Sequence, residues 1–266
     1  MPRPRVYKTE AIVLRHQALG DADKIITIYT PHLGKLRIVA KGVLKPRSRL
    51  AGHVEALTRS SMMIARGQNL DVLNQIISID GFVTLREDLA RISQGIYAAE
   101  LLDLFTAQDD ADLNLYQAFL STLTALSQAQ DGGLVLRHFE LRLLGILGFA
   151  PELYVCVSCG DLASGARAHF SASAGGLLCS GCVRGERAVR PISRDALTSL
   201  RFLQKADLSK ITEKVTPPSL AREMEVTMRD YLRYQLEREV KSAAFLDRIS
   251  RLPADVSAAG GPAMHP

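Results

Sequence analysis

The chain has 266 residues, 47% hydrophobic and 23% charged, with 33 Lys/Arg against 28 Asp/Glu for a formal +5. That length suits one large domain or two to three small ones, and the composition excludes collagen-like, disulfide-framework and wholly disordered chains. The uncharged, strongly apolar stretch Leu143 to Pro151 is too short to span a bilayer. Arg15 breaks the apolar run after the basic start, which argues against a signal peptide and for a cytoplasmic protein.

The first third reads as strands. Glu10 to Leu14 is short and β-branched, and a polar loop, Gln17 to Asp23, follows. Lys24 to Thr30 is a second β-branched run, and Pro31-His32-Leu33-Gly34 has turn chemistry. In Lys35 to Lys41, Leu36, Ile38 and Ala40 point one way, Lys35, Arg37 and Lys41 the other, the period of a half-buried strand. After a Gly/Pro-punctuated loop, Gly42 to Gly52, come runs around Val54 to Ile64 and Leu70 to Ile79. Such a series predicts a small closed β-barrel of the OB or SH3-like kind.

From Val83 the period becomes helical, through Leu85, Leu89, Ile92, Ile96, Leu101 and Leu104. Asp112 to Leu126 and Leu134 to Leu147 continue it, and the latter, apolar nearly all round, predicts the buried central helix of a bundle. Residues 152–190 read as loop and hold all four cysteines. Helices resume at Ser193 to Ala206, with Ser193 as N-cap, and from Ser219 to about Ala244. The Gly/Pro-rich tail from Pro253 predicts disorder.

Cys156-x-x-Cys159 and Cys179-x-x-Cys182 stand 19 residues apart. Each short spacing lets two sulfurs reach one ion from a tight turn, and the pair of knuckles fits a four-cysteine zinc site. Disulfides or free thiols are the alternatives, the former disfavoured in a reducing cytoplasm. Four thiolates leave no open coordination position, so such a Zn²⁺ is structural. His138-Phe139-Glu140 upstream of the first knuckle imitates the zinc deaminase pattern, but no proline stands directly before the pair and the second knuckle would have no role. Walker A, G-x-S-x-G, H-E-x-x-H and dinucleotide-glycine patterns are absent. A binding surface, not a catalytic centre, is the expected site.

Charge is unevenly spread. Residues 1–82 carry 13 Lys/Arg against 6 Asp/Glu, or +7, and the rest carry 20 against 22, or −2. Such asymmetry points to a polyanion, although an idle solvated surface would read the same way. No acid stands between Asp23 and Glu55, where Lys24, Lys35, Arg37, Lys41, Lys45, Arg47 and Arg49 fall. A barrel face and its loop are how OB folds hold oligonucleotides. Aromatics are scarce, with Tyr29 the one stacking candidate, so binding is expected to rest on phosphate charge.

Glu10-Ala11-Ile12-Val13-Leu14, Gly20-Asp21-Ala22-Asp23-Lys24, Gly34-Lys35-Leu36-Arg37-Ile38-Val39-Ala40-Lys41-Gly42 and Pro46-Arg47-Ser48-Arg49-Leu50 follow one another here. With Leu147-Gly148-Phe149-Ala150-Pro151 before the first knuckle, the chain resembles the bacterial RecO family over about residues 6–240. The resemblance implies an α+β multidomain protein. Its parts would be an OB-fold nucleic-acid-binding barrel (1–82), a helical domain (83–151 and 191–250) and an inserted zinc ribbon or finger (152–190), while the tail (251–266) reads as disordered from its composition alone. It further implies a non-enzymatic recombination and repair mediator that binds single- and double-stranded DNA and anneals complementary strands. The implied partners are RecR, the acidic C-terminal tail of SSB and, indirectly, RecA. An apolar groove rimmed by arginines would suit the SSB tail, and Arg137, Arg142, Arg229 and Arg233 are available in the helical domain. A zinc-ribbon adaptor whose main partner is protein is the competing reading.

Overall fold

The computed structural model describes residues 5–46, 48, 50–162, 168–186, 188–237 and 239–249. Arg47, Arg49 and the 251–266 tail lie outside the described residues.

Five strands, β1 (Val6–Leu19), β2 (Asp23–Thr30), β3 (Gly34–Ala40), β4 (Arg59–Ala65) and β5 (Asp71–Asp80), close into a barrel in the order β1-β2-β3-β5-β4. β3 pairs with β5 in parallel, and the other four pairings are antiparallel. The alternation foreseen in β3 holds, because Ile38 and Ala40 lie in the barrel core with Ala11, Val13, Ile26, Ile28, Met62 and Ile64, and Leu36 packs against it. β1 is longer than expected. Gln17 and Leu19 pair with Ile25 and Asp23, so the supposed loop is a polar hairpin arm carried past the core. β4 begins late, since residues 54–57 of the run take bends and turns, with Leu57 at φ +67°.

Helices α1 (Val83–Arg86), α2 (Leu89–Phe105), α3 (Leu113–Leu126) and α4 (Gly132–Ile146) follow. Asp88, Asp112 and Asp131 start the last three, each side chain accepting two backbone N–H bonds of the first turn. Three short strands, β6 (His169–Ser171), β7 (Gly176–Leu178) and β8 (Val189–Pro191), form a sheet in the order β7-β6-β8 within the segment read as loop. The chain ends in α5 (Arg194–Lys205), capped by Ser193, then α6 (Pro218–Leu236) and α7 (Lys241–Ile249). The single helix expected over Ser219 to Ala244 is broken at Glu237, whose φ is +53°.

The chain forms two compact units, residues 1–127 with 242–266, and residues 128–241. The first contains the barrel and α1–α3, and the second α4–α6 with the small sheet. These units cut the sequence differently from the 82/83, 151/152 and 190/191 boundaries, and the α6 break falls close to the return into the first unit. In the second unit α4 buries residues all round, Leu136, Phe139, Leu143 and Leu144 among them, as its composition foretold.

In the first unit Lys35 also bridges to Gln108, so the loop from α2 to α3 lies along the start of β3. Gly34 makes that approach possible. Its φ is +67°, and a Cβ there would stand 2.2 Å from the Asp110 carbonyl oxygen. Gly34→Ala is expected to destabilise this unit by about 3 kcal/mol, combining left-handed strain with a backbone clash, as read by urea unfolding. An unchanged midpoint would show that the loop does not pack here.

Candidate functional site

The cations foreseen on the barrel divide into two sets. Lys35 is turned to structural use. Its Nζ donates to the carbonyl oxygens of Asp103 (2.5 Å) and Thr106 (2.6 Å) and lies 3.0 Å from Asp103 Oδ1, with 11% of the side chain exposed. It thus supplies a positive charge at the C-terminus of α2, whose own last turn has no basic residue. Arg15 Nε donates to the same carboxylate at 2.6 Å. Burial works against the charge on Asp103, but the hydrogen bonds from Arg15 and Lys35 leave it below the ordinary carboxylate range. A depressed folded-state pKa means that this contact stabilises fully above the unfolded pKa and is lost as pH falls through the folded value. Lys24 is similarly engaged, 3.1 Å from Glu55 with 13% of its side chain exposed. Tyr29 has no exposed surface, so it cannot stack on a base, and burial raises its phenol to about 12.

These placements correct the expectation that Tyr29 stacks on bases and turn Lys24 and Lys35 to contacts within the protein. The acids that neutralise the two lysines are Glu55 and Asp103, which lies 68 residues beyond Lys35. Lys35→Ala is expected to cost about 2–3 kcal/mol of stability, because Asp103 and two helix-end carbonyls lose their donor. Affinity of the folded variant for oligonucleotide should stay within about twofold, and a larger loss in fluorescence anisotropy would return Lys35 to the binding surface.

The second set remains available. Lys41 and Lys45 are exposed, just beyond the end of β3. Arg37 lines a cleft of about 710 Å³ at the β3–β5 seam, together with Tyr7, His32, Arg66 and Asp71. Arg37 Nε is buried with no hydrogen-bond partner among the described residues. Arg66 and Tyr7 were not singled out as binding residues from the sequence. They meet because β1 pairs with β4, which sets the Arg66 guanidinium 4.9 Å from the Tyr7 ring centre. The Tyr7 hydroxyl donates to Asp71 Oδ2 at 2.7 Å, and burial followed by that carboxylate keeps it protonated far into the alkaline range. The cleft therefore offers two guanidiniums and an aromatic ring, with Asp71 occupied by its neighbours.

In the second unit all four cysteines converge, their Sγ atoms within 4.8 Å of one another. Cys159 and Cys179 Sγ are 3.8 Å apart, the edge of about 3.8 Å expected for a tetrahedron with Zn–S bonds of about 2.3 Å. Each knuckle closes on itself, the first with Gly160 N–H donating to the Cys156 carbonyl and the second with Cys182 N–H donating to that of Cys179. Gly160 takes φ +79° in the first turn. Val157 N–H donates to the Leu177 carbonyl, tying the first knuckle to β7. Burial opposes ionisation of Cys156, but the N–H groups of Cys179, Cys159 and Ser158 prevail and bring it down to about 6. Four sulfurs this close together are consistent with a zinc site.

His138 and Glu140 do not join this cluster. His138 hydrogen-bonds the Ala206 carbonyl at 3.1 Å, and Glu140, fully buried, pairs with Arg137 at 2.5 Å. That pair also removes Arg137 from the cations available to an acidic peptide. Arg229 is bound to Glu225, and Arg233 to Asp230 and Glu239, while Arg142 is exposed. No helix among the described residues is long and apolar enough to cross a membrane.

Comparison with known families agrees with this architecture. The family model for "Recombination protein O N terminal" matches residues 4–82, and that for "Recombination protein O C terminal" matches residues 86–244. A protein of Roseiflexus sp. (strain RS-1) named DNA repair protein RecO is 42% identical over 250 residues, 94% of this chain and 88% of its own. Proteins of the same name from Desulforamulus reducens and Pelotomaculum thermopropionicum are each 35% identical, over 92% and 96% of this chain and 95% and 99% of theirs. With both halves matched in chain order and relatives aligned over nearly their whole length, this chain belongs to the RecO family of DNA repair proteins.

Proposed function

We propose that this protein is a cytoplasmic, nucleoid-associated mediator of recombination and repair that binds single- and double-stranded DNA through the barrel. The observation that carries the reading is the cleft containing Arg37, Arg66 and Tyr7, with Lys41 and Lys45 beyond the end of the same strand. Guanidiniums suit phosphate oxygens, and the buried Arg37 Nε without a partner is a donor awaiting an acceptor. Arg47 and Arg49 extend the same loop in sequence and belong to the proposed surface. Neutralising phosphate repulsion between two strands would promote annealing without any covalent step. In this reading RecR and the acidic SSB tail are the protein partners, and together they allow RecA to replace SSB on gapped DNA.

The four cysteines would hold one Zn²⁺, with a fully protein-derived ligand set that leaves it a structural role. The ion would lock the two knuckles together, and the chain's own N–H groups would favour the thiolate of Cys156.

The test is the salt dependence of binding to a single-stranded oligonucleotide. Each phosphate neutralised should contribute about −0.7 to the slope of log K against log salt, so three to four contacts predict a slope between about −2 and −3. An adaptor that contacts only protein would show no DNA binding at any salt.

A further inference from the structure

The second unit carries its own cationic and aromatic surface, which the barrel reading does not use. α5 buries Ala196, Leu197, Leu200 and Leu203. Its opposite side presents Phe202, 39% exposed, and the exposed Lys205. The segment after Pro151 is fixed along this helix, because Gln204 Nε2 donates to the Pro151 carbonyl (3.2 Å) and Arg201 Nε to that of Leu153 (2.5 Å). Tyr154 is thereby set beside two cations one helical turn apart, with Arg201 Cζ 5.0 Å and Lys205 Nζ 4.4 Å from its ring centre. Lys214 Nζ lies 5.1 Å from the Phe202 ring centre. Among the described residues, neither Lys205 nor Lys214 has an ion-pair partner.

The core does not require this arrangement. A half-exposed phenylalanine on a polar helix buries too little surface to order the unit, and neighbouring cations repel one another. Aromatic rings hold the cations in place through their quadrupoles, and they also offer faces to a planar ligand. The nearby carboxylate of Glu152 is already occupied, since Oε1 accepts from the N–H groups of Tyr154 and Val155. Asp207 and Glu213 remain exposed at the edge of the surface. An acidic peptide would call for a recess with unpaired cations. A 650 Å³ cavity of this unit is lined instead by Arg190, Asp230, Arg233 and Tyr234, with both arginines paired to Asp230.

We infer that Tyr154, Arg201, Phe202, Lys205 and Lys214 form a second strand-binding surface, one that takes single-stranded nucleic acid by phosphate pairing and base stacking. Unpaired bases are needed because only they expose faces to rings. The inference rests on the DNA-binding reading in one respect, that a protein which anneals has to hold two strands at once.

Three measurements on the full chain test it. The first two are stoichiometric titration of a labelled thymidine oligonucleotide and the rate of annealing of complementary strands. The third is photocrosslinking to an iododeoxyuridine oligonucleotide with mapping of the adduct. Wild type should bind two strands, anneal them, and crosslink at Tyr154 or Phe202. K205E/K214E, changed only at exposed residues, should bind one strand and anneal at least about tenfold more slowly. R37E/K41E should keep the Tyr154 or Phe202 adduct. Normal stoichiometry and annealing in K205E/K214E would overturn the inference and leave the barrel reading standing. Absence of any DNA binding by wild type would overturn both. If K205E/K214E loses only the capture of an acidic, phenylalanine-ended peptide, the surface is a peptide site and the inference fails.

Discussion

Cys156→Ser is expected to leave the protein without stoichiometric zinc and to lower the melting temperature of the second unit by roughly 10–15 °C, equivalent to about 4 kcal/mol. The size of the effect follows from how little else braces the segment. β6, β7 and β8 are three residues each, shorter than strands that hold a sheet unaided. Their buried side chains, Phe170, Leu177 and Leu178, make a small core, and Phe170 meets Tyr231 of α6 edge-on with ring centres 5.6 Å apart. Free zinc-finger peptides gain about 10–16 kcal/mol from the ion, and a segment already anchored to α4–α6 should depend on it less. Elemental analysis and thermal melts with and without chelator are the measurements. A metal-free protein that melts at the same temperature would contradict the structural role. Strand affinity of the folded variant at the barrel should be unchanged, since the cysteines and the barrel belong to different units.

The second large effect is expected from Arg37→Glu combined with Lys41→Glu. Affinity for a single-stranded oligonucleotide at low salt should fall about a hundredfold, and the salt slope should shrink by about 1.4, two phosphate contacts' worth. Both residues are on or just beyond β3, and neither makes an ion pair among the described residues. The loss should therefore appear in binding with little change in unfolding midpoint. Lys35→Ala is the counterpart, costing stability while sparing affinity. If the two variants exchange phenotypes, the division of the barrel cations drawn from their contacts is wrong.

That division explains why part of the site was legible in the amino-acid order and part was not. The period of two in Lys35 to Lys41 showed which side chains face the barrel interior, because strand geometry is local. It could not show what covers the outer face. Asp103, in the last turn of α2, and Gln108, in the loop after it, reach Lys35 from far along the chain, while Asp112 and Asp110 lie by the buried Tyr29. Arg66 and Tyr7 form a pair only through the β1–β4 ladder. The broken α6 is a similar case, since Glu237 marks no turn by its residue type and the break lies close to the return into the first unit.

The sequence by itself determined the barrel followed by helices, the four-cysteine centre and the family, because hydrophobic period, caps and C-x-x-C spacing act over a few residues at a time. Only the tertiary structure decided which cations remain free. Charge on a surface depends on partners brought together across the fold, and Glu55, Asp103 and the α2 terminus claim Lys24 and Lys35 while leaving Arg37, Lys41 and Lys45 without an ion pair among the described residues.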